Sequence, residues 1–129
     1  MIPSELIQAA VKARENAVAT YSHFAVGAAL EDTAGRIHTG CNIENATYGL
    51  TICAERVAMF KALSEGIRTF RRIAVVTDTA KLAPPCGACR QILWEFAGDT
   101  EIILANLTGQ TETWQLATLF PRAFDASFL

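Results

Sequence analysis

Apolar positions along the chain fall into alternating helical and strand-like runs. After Ser4, a suitable cap, Leu6, Ile7, Ala10, Val11, Ala17 and Val18 recur near helical spacing and predict a first helix reaching about Thr20. The run Val26-Gly27-Ala28-Ala29-Leu30 is too rich in Gly and Ala for an independent helix and predicts a buried strand. Turn chemistry in Asp32-Thr33-Ala34-Gly35 and alternation over 36–41 complete a hairpin. Thr51 is placed to cap a second helix with an apolar face at Val57, Met59, Phe60 and Leu63 and a stop at Gly66.

The β-branched run at 73–77 predicts a central strand buried on both faces. Pro84-Pro85 opens a third helix that continues through Ile92, Leu93 and Phe96 to Gly98. A strand at 101–107, a turn at Thr108-Gly109, a short strand at 111–114 and a brief helix at 116–120 follow. Strands 73–77 and 101–107 flank one helix, as in a right-handed parallel crossover. The order α-β-β-α-β-α-β-β-α implies a mixed sheet covered by helices.

Composition narrows the function classes. The 129 residues most simply form one domain spanning 1–129, long enough for a real core. With 51% hydrophobic and 19% charged residues, some apolar surface is expected to be covered by subunit contacts. A formal charge of −2 argues against a large nucleic-acid surface, and the cluster Arg68, Arg71 and Arg72 reads as a solvated helix end and loop. No apolar run reaches the ~20 residues of a membrane span. The start, Met-Ile-Pro-Ser-Glu, lacks the basic residues and apolar run of a secretion signal. Four cysteines without such a signal point to a reducing, cytoplasmic setting and to metal or catalytic use rather than bridges.

Cys53-Ala54-Glu55 and Pro85-Cys86-Gly87-Ala88-Cys89 each open a helix and together offer three thiols and a carboxylate. Three soft ligands suit Zn²⁺, and one coordination position would stay open. Cys86 and Cys89 share one face of a first turn. Cys53 and Glu55 can both serve the site if the metal lies beyond the helix N-terminus, towards which helical side chains lean. Thiolates there meet the positive ends of helix dipoles. Three thiolates outweigh the charge of Zn²⁺, so a cation is expected nearby. Arg56 is the first candidate and Arg90 the second. Cys86–Cys89 alone also fits a redox pair, but that leaves Cys53 and Glu55 unexplained. Cys41 could complete a structural Cys₄ site, yet it ends an apolar strand and reads as a buried core cysteine. Asn42-Ile43-Glu44-Asn45 fits a binding rim and an ordinary turn equally well.

Five stretches carry a resemblance to the cytidine deaminase family, in its small homotetrameric branch. They are Tyr21-Ser22-His23-Phe24, Val26-Gly27-Ala28-Ala29, Gly40-Cys41-Asn42-Ile43-Glu44-Asn45-Ala46, Cys53-Ala54-Glu55-Arg56 and Pro85-Cys86-Gly87-Ala88-Cys89-Arg90-Gln91. Ala25 departs from the family's usual Pro. The resemblance implies an α/β fold, a three-layer α-β-α sandwich around a central mixed five-stranded sheet. It also implies one Zn²⁺ per subunit on Cys53, Cys86 and Cys89, with Glu55 shuttling protons as zinc hydroxide attacks C4 of a pyrimidine nucleoside. Asn42 and Glu44 would meet the ribose, Phe24 the base, and Ala54 would read the base through its backbone. Ala46, Tyr48 and Phe124 match positions that complete a neighbouring subunit's pocket in a homotetramer. The implied reaction is deamination of cytidine and deoxycytidine in pyrimidine salvage. Alternatives are a deaminase for a blasticidin-type nucleoside, a nucleic-acid-editing deaminase and a non-catalytic zinc module.

Overall fold

The computed structural model describes residues 3–129, so the expectation about a secretion signal lies partly outside it, on Met1 and Ile2. Helix α1 (Pro3–Arg14) leads into the hairpin β1 (Val26–Asp32) and β2 (Ile37–Cys41). Helix α2 (Ala54–Ser64), strand β3 (Phe70–Thr77), helix α3 (Gly87–Ala97) and strand β4 (Glu101–Asn106) follow, then the edge strand β5 (Thr111–Gln115) and the short α4 (Leu116–Leu119). The five strands form one mixed sheet in the order β2-β1-β3-β4-β5, with β3 and β4 parallel and the other pairs antiparallel.

Strand side chains point alternately to opposite faces, and two clusters show which helix covers each. Ala29, Ala74, Val76, Ile103 and Ala105 pack with Leu6 and Ala10 of α1. Ala28, Leu30, Ile73, Val75, Ile102 and Leu104 pack with Ala58, Met59 and Ala62 of α2, Leu93 of α3 and Leu116 of α4. The expected three layers and double burial of the central strand are present.

Several local expectations are corrected. Helix α1 begins at Pro3, where a missing N–H costs nothing, so Ser4 lies within the first turn rather than capping it. It stops at Arg14 instead of reaching Thr20. The reason is tertiary: Val18 N–H donates to the Asn42 carbonyl and the Val18 carbonyl accepts from Glu44 N–H, each at 2.9 Å. The cap of α2 is Cys53, not Thr51, whose hydroxyl instead accepts from Asn45 N–H at 3.1 Å. Helix α2 buries Ala54, Glu55, Ala58, Met59 and Ala62, while Phe60, expected on the apolar face, is 40% exposed. A β-carbon on Gly40 would lie 2.5 Å from both Ala54 O and Ala58 N, so α2 rests its small residues directly on β2. Gly27 allows α1 the same approach to β1, since a β-carbon there would meet Ala10 O at 2.0 Å.

Arg71 and Arg72 belong to β3 rather than to a loop. Arg72 Nε stands 3.0 Å from Oε1 of the fully buried Glu31, and Arg71 donates to the Thr33 carbonyl. Arg68 donates to the Leu63 and Ile67 carbonyls at the end of α2. Cys41 is half-buried at the end of β2 rather than in the core. Among the described residues no helix is long and apolar enough to cross a membrane.

Candidate active site

The register pairs Val26 with Thr77, Gly27 with Cys41, and Thr77 with Asn106. The start of β1 and the ends of β2, β3 and β4 therefore lie along one edge of the sheet, and α2 and α3 begin there. Cys53 and Cys86 are the N-caps of these helices, both in extended conformation, and neither sulfur caps a backbone N–H of its own helix. Their sulfurs are free to converge. Cys53 Sγ and Cys86 Sγ lie 3.9 Å apart, Cys86 Sγ and Cys89 Sγ 3.5 Å, and all three sulfurs fall within 4.8 Å of one another.

This spacing fits zinc. Zn–S bonds of about 2.3 Å at tetrahedral angles put neighbouring sulfurs about 3.8 Å apart. Cys41 stands outside the cluster, so a four-thiol structural site does not form among the described residues. The thiols share charge unequally. Cys53 takes hydrogen bonds from Cys89, which outweigh burial and, with those from Arg56 and Cys86, hold it down to about 5. Cys89 is pushed far up by its hydrogen bond to Cys53, by burial and by the nearby Glu55.

Arg56 Nη2 donates to Cys53 Sγ at 3.5 Å, and its Nε is buried without a partner. Arg90 makes different contacts. Its guanidinium donates to the Pro85 carbonyl at 2.7 Å and to the Leu119 carbonyl, tying the start of α3 to the end of α4.

Cys53 and Cys86 open onto a cavity of about 290 Å³. Phe24, Asn42, Glu44, Cys53, Ala54, Glu55 and Cys86 all line it. Glu55 is 5% exposed, and burial followed by the Cys53 charge pushes its carboxyl up to about 7, against its own backbone N–H and Arg56. Ala54 is buried, with its carbonyl against Gly40. Its N–H, in the first turn and without an intrahelical acceptor, is the backbone group left for a ligand.

Asn42 and Glu44 both face this cavity. Ile43 between them exchanges hydrogen bonds with Ile52 at 3.0 Å, which brings Glu44 beside the approach to Cys53. A second cavity of about 340 Å³ adjoins the first through Ser22, Glu44 and Thr51, and is also lined by Tyr21 and Tyr48.

The single chain does not bring Ala46, Tyr48 or Phe124 to the thiols. Ala46 is exposed, Tyr48 is 75% exposed with its ring edge-on to Tyr21, and Phe124 is 57% exposed and stacked on Phe128. Sequence reasoning missed Ser22, Thr51, Val75, Thr77, Ala83 and Pro84 in the cavity wall. The only available signal for Ser22 was its position as the small polar residue of Tyr21-Ser22-His23-Phe24.

Comparison with known proteins agrees with this geometry. Residues 2–105 match the family described as the cytidine and deoxycytidylate deaminase zinc-binding region. A cytidine deaminase of Sporosarcina psychrophila is 51% identical over 93% of this chain and 89% of its own length. A blasticidin-S deaminase of Bacillus cereus is 29% identical over 74% of each chain. The crystal structure of a cytidine deaminase from Burkholderia pseudomallei superposes with a TM-score of 0.94 at 47% identity, covering 96% of this chain and all of that one. The chain therefore belongs to the cytidine and deoxycytidylate deaminase family of zinc-dependent enzymes, with Cys53, Cys86 and Cys89 as the residues fitted to hold the metal.

Proposed function

We propose that this chain hydrolyses cytidine and 2'-deoxycytidine to uridine and 2'-deoxyuridine, releasing ammonia. The observation that carries this reading is a buried carboxyl, Glu55, in one cavity with metal-fitted thiols, an aromatic ring and a polar rim. Zinc, when bound, supplies Lewis acidity that makes water a nucleophile near neutral pH.

The protein's own groups do the rest. Glu55 takes a proton from the attacking water and delivers it to ring N3. It then takes the second proton from the hydroxyl now carried on C4 and gives it to the departing amino group. Ammonia leaves, C4 becomes a carbonyl and the carboxylate ends the cycle as it began. Phe24 packs against the flat base, and the Ala54 N–H meets a base acceptor. Asn42 and Glu44 pair with sugar hydroxyls. Arg56 offsets the negative charge of three thiolates, which would otherwise weaken the centre as an acid.

A nucleoside suits the cavity better than a nucleotide. Among the described residues no Lys or Arg lines either cavity, and Glu44 stands at their junction, so a phosphate would enter unpaired and meet a like charge. The polar pair Asn42 and Glu44 likewise favours a plain ribose over the sugar of a blasticidin-type antibiotic. Exposed Tyr48, Leu50, Phe124 and Phe128 support a homotetramer in which Ala46, Tyr48 and Phe124 complete a neighbour's pocket. Free thiols gathered for a metal support a reducing, cytoplasmic setting and a role in pyrimidine salvage.

An ultraviolet assay with cytidine, deoxycytidine, deoxycytidylate, cytosine and blasticidin S, run alongside zinc analysis, tests this. Turnover of the two nucleosides well above the others is expected. Preference for deoxycytidylate or blasticidin S would overturn the substrate assignment.

A further inference from the structure

Ser22, Phe24, Asn42 and Glu44, which all line the cavity with Cys53 and Cys86, are joined by a closed ring of hydrogen bonds. Ser22 Oγ donates to Glu44 Oε2 and accepts from Phe24 N–H at 3.0 Å. Asn42 Nδ2 donates to the Phe24 carbonyl at 2.8 Å and to Glu44 Oε2 at 3.4 Å, while Asn42 Oδ1 accepts from Val26 N–H at 2.8 Å. His23, between Ser22 and Phe24, has φ of 57°, a left-handed turn that folds the chain back far enough for the Ser22 hydroxyl to reach the Phe24 amide. One hydroxyl thus touches both the carboxylate that faces the sugar and the backbone of the ring that faces the base.

Counting acceptor positions shows what remains for a ligand. Glu44 Oε1 takes the N–H groups of Tyr21 and Ser22, each at 2.9 Å, which uses both of its lone pairs. Oε2 takes the Ser22 hydroxyl, and Asn42 at 3.4 Å. The Asn42 contact is long and weak, the one a ligand can replace. Hydrogen bonds, first the Ser22 hydroxyl and then the Ser22 N–H, hold Glu44 below the usual carboxylate range. The carboxylate is therefore an acceptor only.

We infer that Ser22 is a positioning residue for nucleoside binding, fixing Glu44 and Phe24 relative to each other. A sugar hydroxyl then inserts between Asn42 Nδ2 and Glu44 Oε2, accepting from the first and donating to the second. The inference rests on the proposed nucleoside deaminase activity and adds a residue which that reading leaves without a role. Because Ser22 acts through Glu44, its loss weakens binding while the chemistry at the thiol side proceeds.

The test uses the zinc-loaded enzyme and its Ser22→Ala, Ser22→Thr, Glu44→Gln and Ser22→Ala/Glu44→Gln variants. With cytidine, Ser22→Ala should raise KM about tenfold, the loss expected for one hydrogen bond to a charged group. Its kcat should change less than about twofold, and Ser22→Thr should restore KM, since the hydroxyl is kept. The double variant should lose less than the sum of the two single losses, because the serine acts largely through the carboxylate. NMR titration of the ligand-free protein should find the Glu44 carboxyl of Ser22→Ala raised relative to the parent.

An unchanged KM in Ser22→Ala, an equal fall in kcat, or additive losses in the double variant would overturn the inference while leaving the activity intact. Absence of cytidine turnover in the parent enzyme would instead overturn the activity on which it rests.

Discussion

Gly40 and Ala54 meet backbone to backbone. A β-carbon on Gly40 would stand 2.5 Å from the Ala54 carbonyl oxygen and 2.5 Å from Ala58 N, with no flexible side chain to yield. This contact holds the first turn of α2, and with it Cys53 and Glu55, against the end of β2.

Gly40→Ala is therefore expected to destabilise the protein by about 3 kcal/mol, the upper range for overpacking a close contact. Thermal unfolding should fall by roughly 10 °C for a chain of this size. Zinc retention should fall with it, because Cys53 shifts relative to Cys86 and Cys89. A melting temperature within a degree or two of the parent would mean that the helix moves aside at no cost.

Glu55→Gln keeps the shape of the buried side chain and removes its capacity to carry a proton. Activity on cytidine should drop by at least ~10²–10⁴, the usual scale of general acid–base catalysis, with zinc still bound. Near-normal turnover in that variant would sink the proton-transfer role.

Arg56→Gln tests charge compensation. Arg56 Nη2 lies 3.5 Å from Cys53 Sγ, and the proposed role is to offset the charge of the thiol cluster. The variant should lose about tenfold in rate and retain metal, as for other groups that support metal ligands. Arg90→Gln, by contrast, should act on stability, since Arg90 donates to the Pro85 and Leu119 carbonyls. Release of zinc from Arg56→Gln, or no effect at all, would refute the tuning role.

Cysteine replacements separate a catalytic centre from a structural four-thiol site. Cys53→Ala, Cys86→Ala and Cys89→Ala should each lose zinc, while Cys41→Ala should retain it, because Cys41 lies outside the cluster. Metal analysis of purified variants reads this directly, and loss of zinc from Cys41→Ala would contradict it.

At the other end of β1, burial pushes the Asp32 carboxyl up. Hydrogen bonds from His38 and from the Arg36 and Ala34 N–H groups, with the Arg36 charge, outweigh it and hold the carboxyl down to about 2. The folded value lies below the unfolded one of about 3.9. Stability from this group is thus complete above about pH 4 and is lost as the pH falls towards 2. Urea unfolding should show Asp32→Asn losing less stability than the parent between pH 7 and pH 3. Equal acid slopes would exclude the effect.

Much of the secondary structure was legible locally. Gly66 and Gly98 end their helices in left-handed backbone, with φ of 90° and 69°, as their residue type permits. The run at 73–77 was a buried central strand because β-branched residues without polar alternation suit nothing else so well. The end of α1 was not legible, because Val18 is drawn out of helical spacing by a partner, Asn42, that is distant along the chain. Nor was the face of α2, where close contact with Gly40 selects Ala58 over the bulkier Phe60.

The sequence by itself determined the chemistry available: three thiols, a carboxylate and an arginine at the openings of two helices, whose types and short spacings are local properties. Only the tertiary structure decided which of them meet. It chose Arg56 over Arg90 as the thiolate's partner, left Cys41 outside the cluster, and joined Ser22 to Glu44 across 22 positions of chain. Such choices depend on strand register and on how closely a helix can approach a sheet. Both are set by pairings between segments far apart in the chain, which no local run of residues encodes.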